Sequence, residues 1–199
     1  MKTAVVISSV NRPEVLHETV LAVCRQTVSP ITIILSLCDV CSVLPETSRL
    51  PGIKIIQGQA GLTRQRNAGL GAVPSTAEYV LFLDDDTELA PNYLESMERL
   101  FDDRSELAAS SGVFAMDGLR IARPLTRAEA MAAITKRPFE QRTEPAEGLT
   151  GCNIFVRRTV AESVKFDERL PLSGWLEDFD FSVRCRPHGM VVWNFETCV

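Results

Sequence analysis

Continuous apolar runs alternate along the chain with stretches of helical spacing. "TAVVIS" near the start reads as a buried strand. "NRPEVLHETVLAVCRQT" follows as a helix, because Val15, Leu16, Val20, Val23 and Cys24 fall on one face. Asn11 is suited to cap it and Pro13 to its first turn, where a missing N–H does no harm. "ITIILS" predicts a second strand and "IKIIQ" a short third. "GLTRQRNAGLGAV" predicts a helix, "YVLFL" a central strand, and "PNYLESMERLF" a helix with Pro91 in its first turn. "ELAASSGVFA" reads as a strand. Residues 117–148, rich in Arg, Pro and Glu, predict a short helix around "RAEAMAAI" and a mobile loop. "CNIFVRR" is a strand, "WLEDFDFSVRCR" a helix stopped by Pro187 and Gly189, and "MVVWNF" a last strand. This alternation predicts an α/β fold with a mainly parallel sheet and no internal repeat.

The 199 residues suit one domain with a sizeable core, and 45% hydrophobic with 24% charged residues is a globular composition. No apolar run approaches the roughly 18 residues of a membrane span. "MKTAVVISS" is too short in its apolar part for a secretory signal. Met1–Ser9 is therefore expected to be the first strand of a cytoplasmic protein, with peripheral association at the inner face of a membrane left open. The net charge of −5 and pI near 5.2 argue against general nucleic-acid binding. One segment departs from this balance. Between Gly118 and Arg142, Arg120, Arg123, Arg127, Lys136, Arg137 and Arg142 outnumber Glu129 and Glu140, a local +4. It reads as a solvated helix face or as a surface for an anionic acceptor or membrane. Of the six cysteines, only Cys38 and Cys41 have C-x-x-C spacing, with no second pair to complete a zinc site. Reduced, partly buried thiols are the expectation.

The chemistry concentrates in three stretches. In "YVLFLDDDTELAP" a strand ends in three carboxylates, which repel and raise each other's pKa unless something positive is near. In an open α/β sheet that strand end borders the ligand crevice. Strand alternation would turn Asp84 and Asp86 to one side and Asp85 to the other, offering two hard oxygen ligands for Mg²⁺ or Mn²⁺ bridged to a diphosphate. A helix-cap cluster is the plainer alternative, with Asp86 capping. In "GWLEDFDFSVRC", Glu177, Asp178 and Asp180 sit in a first turn, where the macrodipole favours them, and Asp180 can pair with Arg184. One of these carboxylates could instead serve as a general base, with Trp175 as a flat platform for a sugar ring. In "GLTRQRNAGL", Arg64 and Arg66 near a glycine-led helix start could meet phosphate oxygens.

Taken in order, "SSVNRP", "GLTRQRNAGL", "YVLFLDDDTELAPNYLE", "GCNIFVRR", "FDERL" and "GWLEDFDFSVRCRPHG" resemble the family-2 glycosyltransferases of the GT-A fold, from about residue 3 to residue 196. The resemblance implies a single GT-A domain over 1–199: a three-layer sandwich with a Rossmann-like nucleotide-sugar half (1–116) and an acceptor-side half (117–199). It implies an inverting transfer from a nucleoside-diphosphate-sugar to a glycan, lipid-linked or small-molecule acceptor. By the same resemblance, Ser8, Ser9 and Asn11 line the base and ribose, and Arg66 and Asn67 lie beside the nucleotide. Asp84 and Asp86 match the D-x-D metal signature with Asp85 on the nucleotide-sugar, and Gly151 and Asn153 flank the donor sugar. Glu177 and Asp178 form the acidic pair near the acceptor, with Asp178 the base.

Two departures from that pattern are visible. Where the family usually carries an acidic residue for base recognition, this chain has Ser36, with Asp39 three residues later; uridine is the default. Many relatives carry a further metal-binding His after the last strand, whereas this sequence stops at Val199. The expectation is that the ligand is absent, replaced by water, or lost to a shortened C-terminus. Three rival readings have weaker support. A phosphohydrolase would want Thr or Val where Glu88 stands, and a nucleotidyltransferase would want a glycine-rich loop where "SSVNRPE" stands. A nucleotide-sugar-binding module without turnover is the third.

Overall fold

The computed structural model describes residues 1–39, 42–118, 121–170 and 176–199. The first half winds as β1 (Thr3–Ser9), α1 (Pro13–Cys24), β2 (Thr32–Leu37), the single turn α2 (Pro45–Ser48), β3 (Ile53–Gln57), α3 (Leu62–Gly71), β4 (Tyr79–Asp84) and α4 (Tyr93–Asp103). Then follow β5 (Leu107–Val113), α5 (Arg127–Lys136), β6 (Thr143–Pro145), β7 (Asn153–Arg157), α6 (Arg158–Val164), α7 (Glu177–Cys185), a 3₁₀ turn (Arg186–His188) and β8 (Met190–Cys198). These strands form one eight-stranded sheet in the order β3-β2-β1-β4-β7-β5-β8-β6. β1 to β5 without β7, together with β8, share a direction; β7 runs antiparallel between β4 and β5, and β6 antiparallel at the edge.

Strands buried on both faces need apolar residues at every position, which is why β1 and β4 read as unbroken runs. Val5, Ile7, Leu35, Leu81 and Leu83 face a core closed by Leu16, Val20 and Val23 of α1 and by Leu94, Met97 and Phe101 of α4. Val6, Ile34, Val80 and Phe82 face the opposite core, closed by Leu70 of α3, Val160 and Ala161 of α6, and Phe181 and Cys185 of α7. The result is a three-layer α/β sandwich. β1 lies between β2 and β4, so successive strands build outward in one direction and then in the other, opening a crevice at the carboxyl ends of β1 and β4.

Three local expectations are corrected. Asn11 does not cap α1: Arg12 holds the cap position, while Asn11 adopts a left-handed φ of 54° and its side chain accepts a hydrogen bond from Ser42 at 3.0 Å. Pro91 lies outside the first turn of α4, which is capped at Asn92. The polar stretch 117–148 holds β6 as well as α5, and α5 opens with a capping box between Thr126 and Glu129. The local +4 is largely paired within the chain: Arg123 meets Glu129, Arg127 meets Glu18 and Glu88, and Arg142 meets Glu140 and Glu144. Arg120 lies outside the described residues. Among the described residues no helix is long and apolar enough to cross a membrane.

The fit of α3 on the sheet turns on one glycine. A Cβ added at Gly69 would lie 2.3 Å from Val6 Cγ1, whereas one added at Gly71 meets nothing within 4 Å. Gly69→Val is expected to destabilise the fold by about 2 kcal/mol or more through overpacking. Gly71→Ala is expected to be neutral or to stabilise by up to about 1 kcal/mol through helix propensity. Urea midpoints of the two variants check this; equal midpoints would contradict it.

Candidate active site

The crevice is built around Arg66. This side chain is 1% exposed, and α3 projects it between β4 and α7. Its Nη2 donates to Asp84 Oδ1 and to the carbonyl of Gly151, each at 2.8 Å. Nη1 donates to Glu177 Oε1 at 2.7 Å, and the guanidinium carbon lies 5.1 Å from the Phe166 ring centroid. A planar fork can serve three acceptors in fixed directions, which an ammonium cannot. Gly151 keeps this approach open, since a Cβ would sit 3.0 Å from both Arg66 Nη2 and Glu177 Oε1 and would push on the ion pair. The antiparallel course of β7 brings this loop to the site: Leu83 pairs with Asn153, and the amide of Asp84 donates to the carbonyl of Cys152.

Asp178 and Glu177 divide their roles by environment. Glu177 is buried, and burial pushes its carboxyl up while Arg66 opposes that shift. Asp178 is half-buried at the start of α7. Its Oδ2 accepts the Gly151 amide at 2.8 Å and its Oδ1 the Phe179 amide at 2.7 Å. Each oxygen keeps a lone pair to accept a further proton donor. Gly151 therefore joins the two ends of the site, with its carbonyl on the Asp84 partner and its amide on Asp178. The expected Asp180–Arg184 pair is present at 2.6 Å.

The three aspartates are arranged differently from strand alternation. β4 ends at Asp84 and Asp85–Asp86 form a turn, so the alternation does not reach Asp86. Asp84 stays with Arg66, while Asp85 and Asp86 share Arg12. Asp85 is buried, bonded to the Ser9 hydroxyl and to Nη2 and Nε of Arg12, the last at 3.2 Å. Burial raises its carboxyl; the Ser9 hydrogen bond and Arg12 oppose this. Arg12 Nη1 reaches Asp86 Oδ2 at 3.0 Å.

Among the described residues no three His, Cys, Asp or Glu side chains come together to hold a metal. The fit to a divalent cation therefore rests on Asp84 and Asp86. Their side chains are 34% and 55% exposed, and each has one oxygen without an arginine partner among the described residues. Two residues apart, their Cα atoms are at most about 7 Å from each other. Two hard oxygens suit an ion that keeps water and takes its remaining ligands from phosphates, as Mg²⁺ does, rather than one caged by protein. Among the described residues, the arginines paired with Asp84, Asp85, Asp86 and Glu177 are Arg12 and Arg66, two positive charges against four carboxylates.

Other expected residues are engaged elsewhere. Asn67 clamps the turn after α6, exchanging hydrogen bonds with the Phe166 backbone at 2.9 Å and donating to Glu168. Asn153 is fully buried and accepts from the Tyr93 hydroxyl at 3.1 Å. Arg64 lines a groove between α3 and α6 with Asn67, Glu162 and Glu168. Ser8 is buried at the crevice in register with Ser36 and Asp84, and neither serine hydroxyl has a hydrogen-bond partner among the described residues. Trp175 and Cys41 lie outside the described residues. Cys152, beside Asp84, has its thiol pushed up to about 12 by burial and that carboxylate, which makes it a poor nucleophile. Sequence reasoning passed over Arg12 and Gln65. Gln65 is buried and donates to the carbonyls of Ser9 and Ser36 at 3.0 and 2.9 Å, staking α3 to the crevice. The available signals were an arginine leaving β1 just before Pro13, and a helix whose buried face carries Thr63, Gln65 and Arg66 rather than aliphatics.

A mostly parallel α/β sandwich with an acidic, arginine-bridged crevice at the switch between β1 and β4 is the GT-A glycosyltransferase architecture. The chain belongs to glycosyl transferase family 2: the family's sequence profile matches residues 4–165, most of the chain. That match ends before α7, so Glu177 and Asp178 rest on the geometry above. Among solved structures, S. aureus TarS residues 1–349 superpose with a TM-score of 0.73 at 16% identity, covering 100% of this chain and 59% of that one. The same protein in complex with UDP-GlcNAc gives 0.73 at 15% identity, with 100% and 57% covered, and in complex with UDP 0.74 at 17%, with 100% and 59% covered. The chain thus spans under two thirds of the length of these neighbours. No curated protein matches the sequence.

Removing the hub should be felt in stability. Arg66→Met leaves Asp84 and the buried Glu177 without their cation, and a loss of roughly 3–5 kcal/mol is expected from denaturant unfolding. A loss below about 1 kcal/mol would contradict this account of the site.

Proposed function

We propose that this chain transfers a sugar from a nucleoside-diphosphate-sugar to an acceptor hydroxyl with inversion at the anomeric carbon. The observation that carries the proposal is the convergence on Gly151 of a donor-side carboxylate, Asp84 through Arg66, and an accessible acceptor-side carboxylate, Asp178. In a single displacement, base and leaving group need to lie on opposite sides of the reacting carbon, and in this proposal Asp178 serves the first side and Asp84 the second.

Asp178 accepts the proton of the acceptor hydroxyl as its oxygen attacks. The bond from the anomeric carbon to the diphosphate oxygen breaks, and the nucleoside diphosphate leaves with the electron pair. General-base assistance of this kind contributes roughly 10²–10⁴-fold. Glu177 is engaged by Arg66, so it orients that guanidinium rather than serving as the base. Ser8 and Ser9 border the nucleotide end, where the partnerless Ser8 and Ser36 hydroxyls suit a polar ligand. Asp84 and Asp86 would hold a divalent ion, which would neutralise charge developing on the diphosphate. Uridine is the expected base: Ser36 replaces the usual acidic recognition residue, but the similarly folded TarS binds UDP and UDP-GlcNAc. The acceptor is a glycan, a lipid-linked sugar or a small molecule.

Asp178→Asn is expected to keep donor affinity in calorimetry and to lose transfer by about 10²-fold or more. Asp86→Ala is expected to weaken Mn²⁺-dependent UDP binding. A panel of nucleoside-diphosphate sugars read by thermal shift, with and without chelator, identifies the donor. Unimpaired product formation by Asp178→Asn removes that residue from the base role. Metal-dependent nucleotide binding by the parent protein without any transfer or donor hydrolysis leaves a binding module instead.

A further inference from the structure

We infer that Arg12 is a built-in counter-ion that a divalent cation must displace from Asp86, so that the bare ion binds poorly until the donor's diphosphate arrives with it. The inference rests on the donor-site reading above and assigns a role to a residue outside that chemistry.

The three nitrogens of Arg12 are unequally held. Nη2 and Nε grip Asp85, whose side chain is 2% exposed and which also takes the Ser9 hydroxyl. Nη1 reaches Asp86 in a pair whose members are 50% and 55% exposed. Charge-assisted bonds to a buried carboxylate are strong, and exposed pairs are weak and screened. The geometry therefore anchors the guanidinium at one end and leaves its outer nitrogen releasable. While Nη1 sits on Asp86, it occupies one of that carboxylate's oxygens and opposes an approaching dication. Once released, it stays tethered at the crevice mouth as a donor for an anion. The backbone supports the same position, because Arg12 is the residue at which the chain leaves β1 for α1, and the Thr19 hydroxyl of α1 donates to the Asp85 carbonyl at 2.7 Å.

The test is Mn²⁺ titration followed by electron paramagnetic resonance, on protein without nucleotide and on protein saturated with UDP. Asp85→Asn is compared with Asp85→Asn/Arg12→Met, a pair in which no buried carboxylate loses its arginine; Arg12→Met alone, which does strip Asp85 of that partner, is measured alongside with its folding checked. Without nucleotide, removing Arg12 is expected to tighten Mn²⁺ binding roughly tenfold, as loss of one unit charge at contact distance predicts. In an Asp86→Asn background the same removal is expected to change little. A change of less than about twofold, or a gain that persists with Asp86→Asn, overturns the inference. Mn²⁺ bound with UDP in the parent but insensitive to Arg12 overturns the competition alone. No Mn²⁺ in any arm overturns it together with the donor-site reading.

Discussion

One buried guanidinium joins the two halves of this site. Arg66 sits on α3, is almost fully buried, and reaches a carboxylate at the end of β4, a carbonyl in the loop before β7 and a carboxylate at the start of α7. Burying such a charge is unfavourable unless geometry and partners are nearly ideal. That demand propagates outward. It favours glycine at 151, holds Glu177 in a buried ion pair, and leaves Asp178 as the half-exposed carboxylate of the two. α3 can present Arg66 this deeply because Gly69 lets it lie directly on Val6 and Gln65 fastens its first half to β1 and β2.

The acidic strand end is a matter of charge supply. Three adjacent carboxylates pose a problem that the chain meets partly from within: Arg66 answers Asp84, while Arg12 answers Asp85 and part of Asp86. The two arginines differ in the way that matters for a ligand. Arg66 is buried and committed to three acceptors, whereas Arg12 is half-exposed, with its outer nitrogen on an exposed carboxylate. The site thus has a buried, fully paired floor and a partly exposed, paired mouth.

How much could be read before the fold was known depended on which signals are local. β1, β2 and β4 are buried on both faces, so their apolar runs stand out; α4 carries a clear one-sided pattern, whereas of the face expected for α1 Leu16, Val20 and Val23 are buried and Val15 and Cys24 are exposed. Direction is not local, and nothing in "CNIFVRR" distinguishes an antiparallel strand from a parallel one. α6 escaped notice because only Val160 and Ala161 of its seven residues are buried, and β6 because its three residues lie in a polar stretch. At the site, the carboxylates were visible as clusters in sequence. Their arginine partners were harder to read: Arg66 and Glu177 are separated by 111 positions and Arg12 and Asp85 by 73. The protein partners of Asn67 and Asn153 were likewise not legible, since each amide bonds an element distant in sequence.

The most direct test of the hub is a double-mutant cycle in folding stability between Arg66 and Glu177, using Arg66→Met, Glu177→Gln and the double variant. Residues in one buried network couple by about 0.5–3 kcal/mol, and a pair at 2.7 Å with both members buried belongs near the upper end. A coupling of about 2 kcal/mol or more is the predicted result. Additive effects within about 0.5 kcal/mol would mean that Arg66 and α7 are independent, and the site would not be organised around that guanidinium.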